Sequence, residues 1–176
     1  MSQNWLRSCS LSVNGTTISG GGQTDLRITF SIEMTTIQSP NPARFRIYNA
    51  GPSTIAALKA AEGTKVTFSG GYQGNTGVLY VGDLKQFIGS GHETPVDSYV
   101  DLLCAGGDQA YNQARVTKTL SSGWTPQDKL QAAVTAMGAH GITMGLTNVD
   151  LTQPKFPRGI PLIGMARQLI REVAMS

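Results

Sequence analysis

The sequence predicts an α+β protein, built as a small antiparallel β-barrel or sandwich with one inserted short helix, followed by a smaller α/β lobe. Three observations point there. Short runs of alternating apolar and polar residues fill the first half, and Gly, Asn and Pro turn signals separate them. Two longer stretches with helical spacing appear only toward the C-terminus. A β domain is therefore expected over residues 1–90 and an α/β lobe with two helices over 91–176, divided at Gly89-Ser90-Gly91.

The first strand is expected over Trp5 to Val13, where Trp5, Cys9, Leu11 and Val13 share one face at period two. Asn14-Gly15 supplies a type I′ hairpin turn, because both central positions of that turn need positive φ, and Thr16 to Ser19 forms the return strand. Leu26 to Glu33 alternates without a break, with Leu26, Ile28, Phe30 and Ile32 inward. After Ser39-Pro40-Asn41-Pro42, the run Arg44 to Asn49 alternates again, with Phe45 and Ile47 on the core side. Ser53 is placed to cap a helix from Thr54 to Ala61 that stops at Gly63. Lys65 to Ser69 and Gly77 to Gln86 make two further strands around the Gly-rich turn Gly70 to Asn75, giving six strands in this domain.

In the second lobe, Val96 to Cys104 and Ala114 to Leu120 have strand character. A helix then opens at Thr125-Pro126-Gln127-Asp128: threonine caps, proline occupies the first helical position, and the acid meets the positive helix end. Its core stripe is expected to be Leu130, Val134 and Met137. A last helix is expected over Pro161 to Ala174, with Leu162, Met165, Leu169, Ile170 and Val173 inward and Arg167 and Arg171 facing water.

Composition narrows the class of function. With 21 Gly, 8 Pro and 14% charged residues in a chain of 176, the protein should be ordered, rich in turns and weakly charged at its surface. A neutral Ser, Thr, Gly and Asn surface suits permanent burial against partner chains. The net charge of +3 is small and its basic residues are scattered, short of a nucleic-acid-binding signature. The closest basic pairs, Arg44 with Arg46 and Arg167 with Arg171, are expected on exposed faces. Cys9 and Cys104 are expected to be reduced, buried thiols. The N-terminus has no basic region followed by an apolar stretch, and no apolar run is long enough for a membrane span, so the chain is expected to be made in the cytosol and to leave it only by lysis.

No constellation of catalytic residues stands out, and the chain is expected not to be an enzyme. His92 and His140 lack Cys or carboxylate neighbours at metal-ligand spacing, so no metal site is expected. There is no Gly-x-Ser-x-Gly elbow, and Gly20-Gly21-Gly22 is not followed by a lysine at the head of a helix, so it should be a loop and not a phosphate cradle. Glu93, Asp97 and Asp101 are expected to be solvent-facing carboxylates beside a strand. No catalytic residue or cofactor is assigned. Phe45, Tyr48, Tyr72 and Tyr80 together with Arg44 and Arg46 leave a second function open, a small-barrel protein that binds single-stranded nucleic acid by stacking.

Arg44 to Asn49, Ser53 to Leu58 and Gly63 to Tyr72 follow one another as strand, short helix, and strand ending in a Gly-Tyr turn, and Val78 to Leu84 adds the next strand. In that order they resemble the baseplate hub subunits of tailed phages. Asp97 to Cys104, Gly107 to Tyr111 and the Thr-Pro-capped helix from Thr125 to Met137 continue the resemblance through most of the chain. The resemblance implies a ring of three copies whose tube-type barrels, here residues 1–90, continue the tail tube on one side and seat the central spike on the other, with no catalysis. The implied partners are further copies of the chain, the tail tube protein, the central spike protein and the tape-measure protein, with nucleic acid only passing through the ring. The implied location is the virion tail baseplate. Hub subunits commonly continue into a second tube-type barrel, so the chain is expected to be part of a longer hub or a hub lacking that barrel. Interface residues are expected at the strand Arg44 to Asn49, taken as a sheet edge, and at the loops around Gly21 and Tyr72, with Arg44, Arg46, Tyr48, Gly21 and Tyr72 as candidates.

Overall fold

The computed structural model describes residues 6–22, 25–59, 61–72 and 74–176. Trp5, Ala60 and Gln73, which the sequence places in the first strand, the short helix and a turn, lie outside the described residues. The chain divides into two compact units, one reaching to Asp108 and one spanning Gln109–Ser176. It is an α+β protein, mostly antiparallel sheet.

In the first unit, β1 (Arg7–Val13) and β2 (Thr16–Gly20) form a hairpin. Asn14 and Gly15 take φ of 50° and 80° at its turn, as the two-residue Asn-Gly connection requires. β3 (Ile28–Ile32) and β4 (Pro42–Tyr48) follow, then α1 (Pro52–Leu58), β5 (Lys65–Tyr72), the 18-residue β6 (Asn75–His92) and β7 (Ser98–Ala105). Gly51, not Ser53, is the cap of the short helix, which starts on Pro52 and not on Thr54, because proline's fixed φ and missing N–H suit the first helical position. Its Leu58 is fully buried.

All seven strands join one antiparallel sheet in the order β2-β1-β5-β6-β7-β4-β3. β2 and β3 each have one neighbour, so the sheet is open at those edges and no closed barrel forms. It is nonetheless rolled. Phe30 of β3 and Phe45 of β4 reach Phe68 of β5 with ring centroids 4.5 and 5.0 Å apart. In a flat sheet β3 would lie four strand spacings from β5, about 19 Å away. The roll encloses Leu11, Val13, Phe45, Ile47, Val66, Phe68 and Leu102, none of which is exposed.

The sheet overturns three sequence expectations. Gly89 and Gly91 do not form a linker: they lie within β6, where the pairing with β7 slips between Ile88 and Gly91, and the units divide near Asp108 instead. Consequently β7, expected in the second lobe, sits inside the first sheet between β6 and β4. β4, expected at an edge, is bonded on both sides, to β3 and β7.

The second unit takes in most of α2 (Asp108–Gln113), then β8 (Arg115–Leu120), α3 (Pro126–Gly138), β9 (Ile160–Met165) and α4 (Ala166–Ala174). β8 and β9 pair as an antiparallel ribbon, so Pro161 to Met165 are strand where a helix is expected. The capping box of α3 forms as the sequence predicts: the Asp128 N–H donates to Thr125 Oγ1 and the Thr125 N–H to Asp128 Oδ2. α3 buries Ala132 and Ala133, however, while Leu130, Val134 and Met137 are only half-buried. Small side chains let the helix lie close against Val116, Leu162 and Leu169. Downstream, Phe156 stacks on Trp124 at 4.1 Å, and Trp124 Nε1 donates to the Arg158 carbonyl at 2.9 Å. Among the described residues no helix is long and apolar enough to cross a membrane.

Candidate functional site

The five candidate residues fall into two places on the first unit. On β4 the inward positions Ala43, Phe45 and Ile47 belong to the core, so period two turns Arg44, Arg46 and Tyr48 to the outer face. There they meet a residue the sequence reading misplaced. Asp101 of β7, expected in solvent, is 2% exposed and lies directly opposite Arg46 in the β4–β7 ladder.

Arg46 donates from Nε to Asp101 Oδ1 at 2.8 Å and from Nη2 to Oδ2 at 3.1 Å, while Arg44 Nη2 donates to Oδ2 at 2.5 Å. A buried carboxylate held by two guanidiniums has its desolvation offset by charge-assisted hydrogen bonds. Burial pushes the Asp101 carboxyl up, but the bonds from Arg46 and Arg44 outweigh it and hold the group below its ordinary value. The bond to Asp101 likewise raises Arg46.

Aromatic rings fix the arginines from the side. The Arg46 guanidinium lies 3.8 Å from the Tyr99 ring centre and Arg27 lies 4.5 Å from that of Tyr48, with the two tyrosines 6.4 Å apart. Glu93 approaches Arg46 at 4.0 Å. Asp97 instead holds a turn, accepting from Asn49 Nδ2 and Thr94 Oγ1 at 3.1 Å each. Beside this cluster Thr29, Ser31, Arg44, Arg46 and Tyr48 line a shallow hollow of about 260 Å³.

Gly21 and Tyr72 come together elsewhere, on either side of Arg7. Tyr72 pairs with Arg7 in the β1–β5 ladder, and Gly21, at φ 105°, packs so close to the Arg7 carbonyl that a Cβ would lie 2.4 Å from it. Both residues line a cleft of about 630 Å³ between the β2 and β3 edges, floored by Cys9, Leu26, Phe30 and Leu79.

Among the described residues no three His, Cys, Asp or Glu side chains gather as metal ligands. Burial and the nearby Asp83 push the Cys104 thiol up to about 12, and burial with Asp25 raises Cys9, so neither is a ready thiolate near neutral pH. Nor do the aromatics form a stacking platform. Phe45 and Tyr80 belong to the core, and Tyr48 is 7% exposed beneath Arg27.

The chain shares its fold with two solved tail proteins. The crystal structure of the tail protein from Neisseria meningitidis MC58 matches 97% of this chain with a TM-score of 0.63 at 10% identity. The 43 kDa tail protein of prophage MuSo2 from Shewanella oneidensis matches 96% with a TM-score of 0.57 at 11% identity. The chain spans 45% and 47% of those two proteins, less than half of each. No family model and no curated protein matches the sequence.

Proposed function

We propose that the protein is a structural component of a phage tail, acting as a baseplate hub subunit that joins the tail tube to the central spike as part of a ring. The observation that carries this reading is the likeness to two tail proteins, which runs through both units and covers 96–97% of the chain. The order of sequence motifs that resembles hub subunits supports the finer assignment. Its partners in this reading are further copies of itself in a threefold ring, the tail tube protein, the central spike protein and the tape-measure protein. Its role is assembly without catalysis, its location the virion tail baseplate after synthesis in the host cytoplasm.

The surface of the first unit is consistent with burial in an assembly. Phe30, Val78, Leu79 and Val81 are 42–62% exposed, on strands of a chain with little surface charge. Sedimentation of the purified chain across a wide concentration range tests the proposal. A concentration-dependent oligomer is expected; a strict monomer at high concentration, with no copy found in a tail, would refute it.

A further inference from the structure

We infer that residues 142–147 act as a β-strand that adds to the open β3 edge of a second copy of the chain. The inference rests on strand geometry and stands apart from the tail reading, since a ring can close through other surfaces. β3 has β4 as its one neighbour. At its two ends the Tyr48 N–H donates to the Arg27 carbonyl at 2.9 Å and the Glu33 N–H to the Pro42 carbonyl at 3.1 Å. Antiparallel pairing alternates, so Thr29 and Ser31 also turn their backbone to β4, while Ile28, Phe30 and Ile32 turn theirs to the open edge. The side chains of those three lie on the inner face, where Phe30 is still 49% exposed. Strand edges left in water are commonly guarded by charge, proline or a bulge, and β3 has none of these.

The matching strand lies in the second unit. Ile142-Thr143-Met144-Gly145-Leu146-Thr147 alternates apolar residues with threonine or glycine and carries no charge, yet belongs to no helix or strand. From Thr143 to Val149 no residue makes a hydrogen bond among the described residues. Leu146 is fully exposed and Met144 37% exposed. Laid along β3, Met144 and Leu146 cover Phe30 and Ile32, while Thr143, Gly145 and Thr147 join Thr29 and Ser31 on the outer face. A slip of one residue would reverse both faces. The other open edges fit less well. β2 already buries its Ile18, and Arg115, Lys118 and Pro161 guard β8 and β9. Each copy therefore offers one bare edge and one unpaired strand, a head-to-tail match that a second copy satisfies through backbone hydrogen bonds.

The test is disulfide cross-linking between two single variants of the full chain, Ser31→Cys and Gly145→Cys, purified separately and then mixed. With Met144 and Leu146 beside Phe30 and Ile32, Gly145 falls opposite Ser31 in either strand direction, and a Cβ at Gly145 meets nothing within 4 Å. A disulfide joining positions 31 and 145, located by peptide mass mapping, is expected well above the background that each variant gives with the wild type, which carries Cys9 and Cys104. Met144→Cys, on the other face, should not link to Ser31→Cys. Leu146→Asp, at a position with no packing to lose, should weaken self-association in sedimentation roughly tenfold or more, and serves if a cysteine variant fails to fold. No link between positions 31 and 145, equal linking of Met144→Cys, or faster linking of Gly145→Cys to Ser19→Cys on β2 would overturn the proposal. So would a link formed only within one chain when both cysteines share it, or unchanged self-association of Leu146→Asp. Self-association that persists without this link leaves the ring reading standing, so the two fail separately.

Discussion

Arg46 and Asp101 face each other across the β4–β7 ladder, joined through both carboxylate oxygens, and the same carboxylate accepts from Arg44 two residues earlier on β4. One aspartate on the outer face thus ties two neighbouring strands whose sequences lie more than fifty residues apart.

Removing that carboxylate should cost stability. Asp101→Ala leaves two arginines without their acceptor, and a loss on the order of 3 kcal/mol is expected, near the low end for breaking a buried pair because both guanidiniums keep a path to water. Urea unfolding of the two proteins measures it, with the slope unchanged.

The same pair sets an acid limit. Asp101 is held below its ordinary value in the folded chain, so the unfolded chain binds more protons as pH falls past the ordinary carboxylate range of about 4. The stabilisation is fully present above that pH and is lost as pH drops through the folded value. Melting temperatures of wild type and Asp101→Asn should therefore differ most at neutral pH and converge in acid.

Phe68 tests the roll of the sheet. It is fully buried and touched by Phe30 and Phe45 from strands at the far side, so Phe68→Ala should cost about 3–5 kcal/mol. Phe30→Ala, at a residue 49% exposed, should cost clearly less. If the sheet were flat, the double variant would be additive; contact predicts a coupling of at least about 0.5 kcal/mol.

At the β1–β2 turn, Gly15 has φ 80° and nothing within 4 Å of a Cβ position, so Gly15→Ala isolates backbone strain from crowding. A loss of about 1–2 kcal/mol is expected by thermal or urea unfolding.

In the second unit, Thr125→Ala removes the hydroxyl that accepts the Asp128 N–H at the head of α3. About 1 kcal/mol should be lost, and hydrogen exchange should quicken first at the amides of Asp128 and its neighbours.

What could be read from the sequence was local. Asn14-Gly15 and the Thr125–Asp128 box declare themselves because their partners lie within a few residues, and both form. Alternation placed Phe45 and Ile47 inward and so turned Arg44 and Arg46 outward. It does not show that β4 pairs with β7, so an interior strand reads as an edge and Asp101 as a solvent-facing acid. Glycine misled at Gly89 and Gly91, where a slip in strand register needs the same small residues as a linker. Leu162 and Met165, three residues apart, share a face only in a helix, and the long-range pairing with β8, which spacing along the chain does not reveal, makes this stretch a strand.

The central claim, a structural subunit in a phage tail ring, is tested most directly by cryo-electron microscopy of tails that contain this chain. Density for the seven-stranded unit is expected three times around the tube axis at the spike-proximal end. Tails that are complete at that position without any copy of this chain would contradict it.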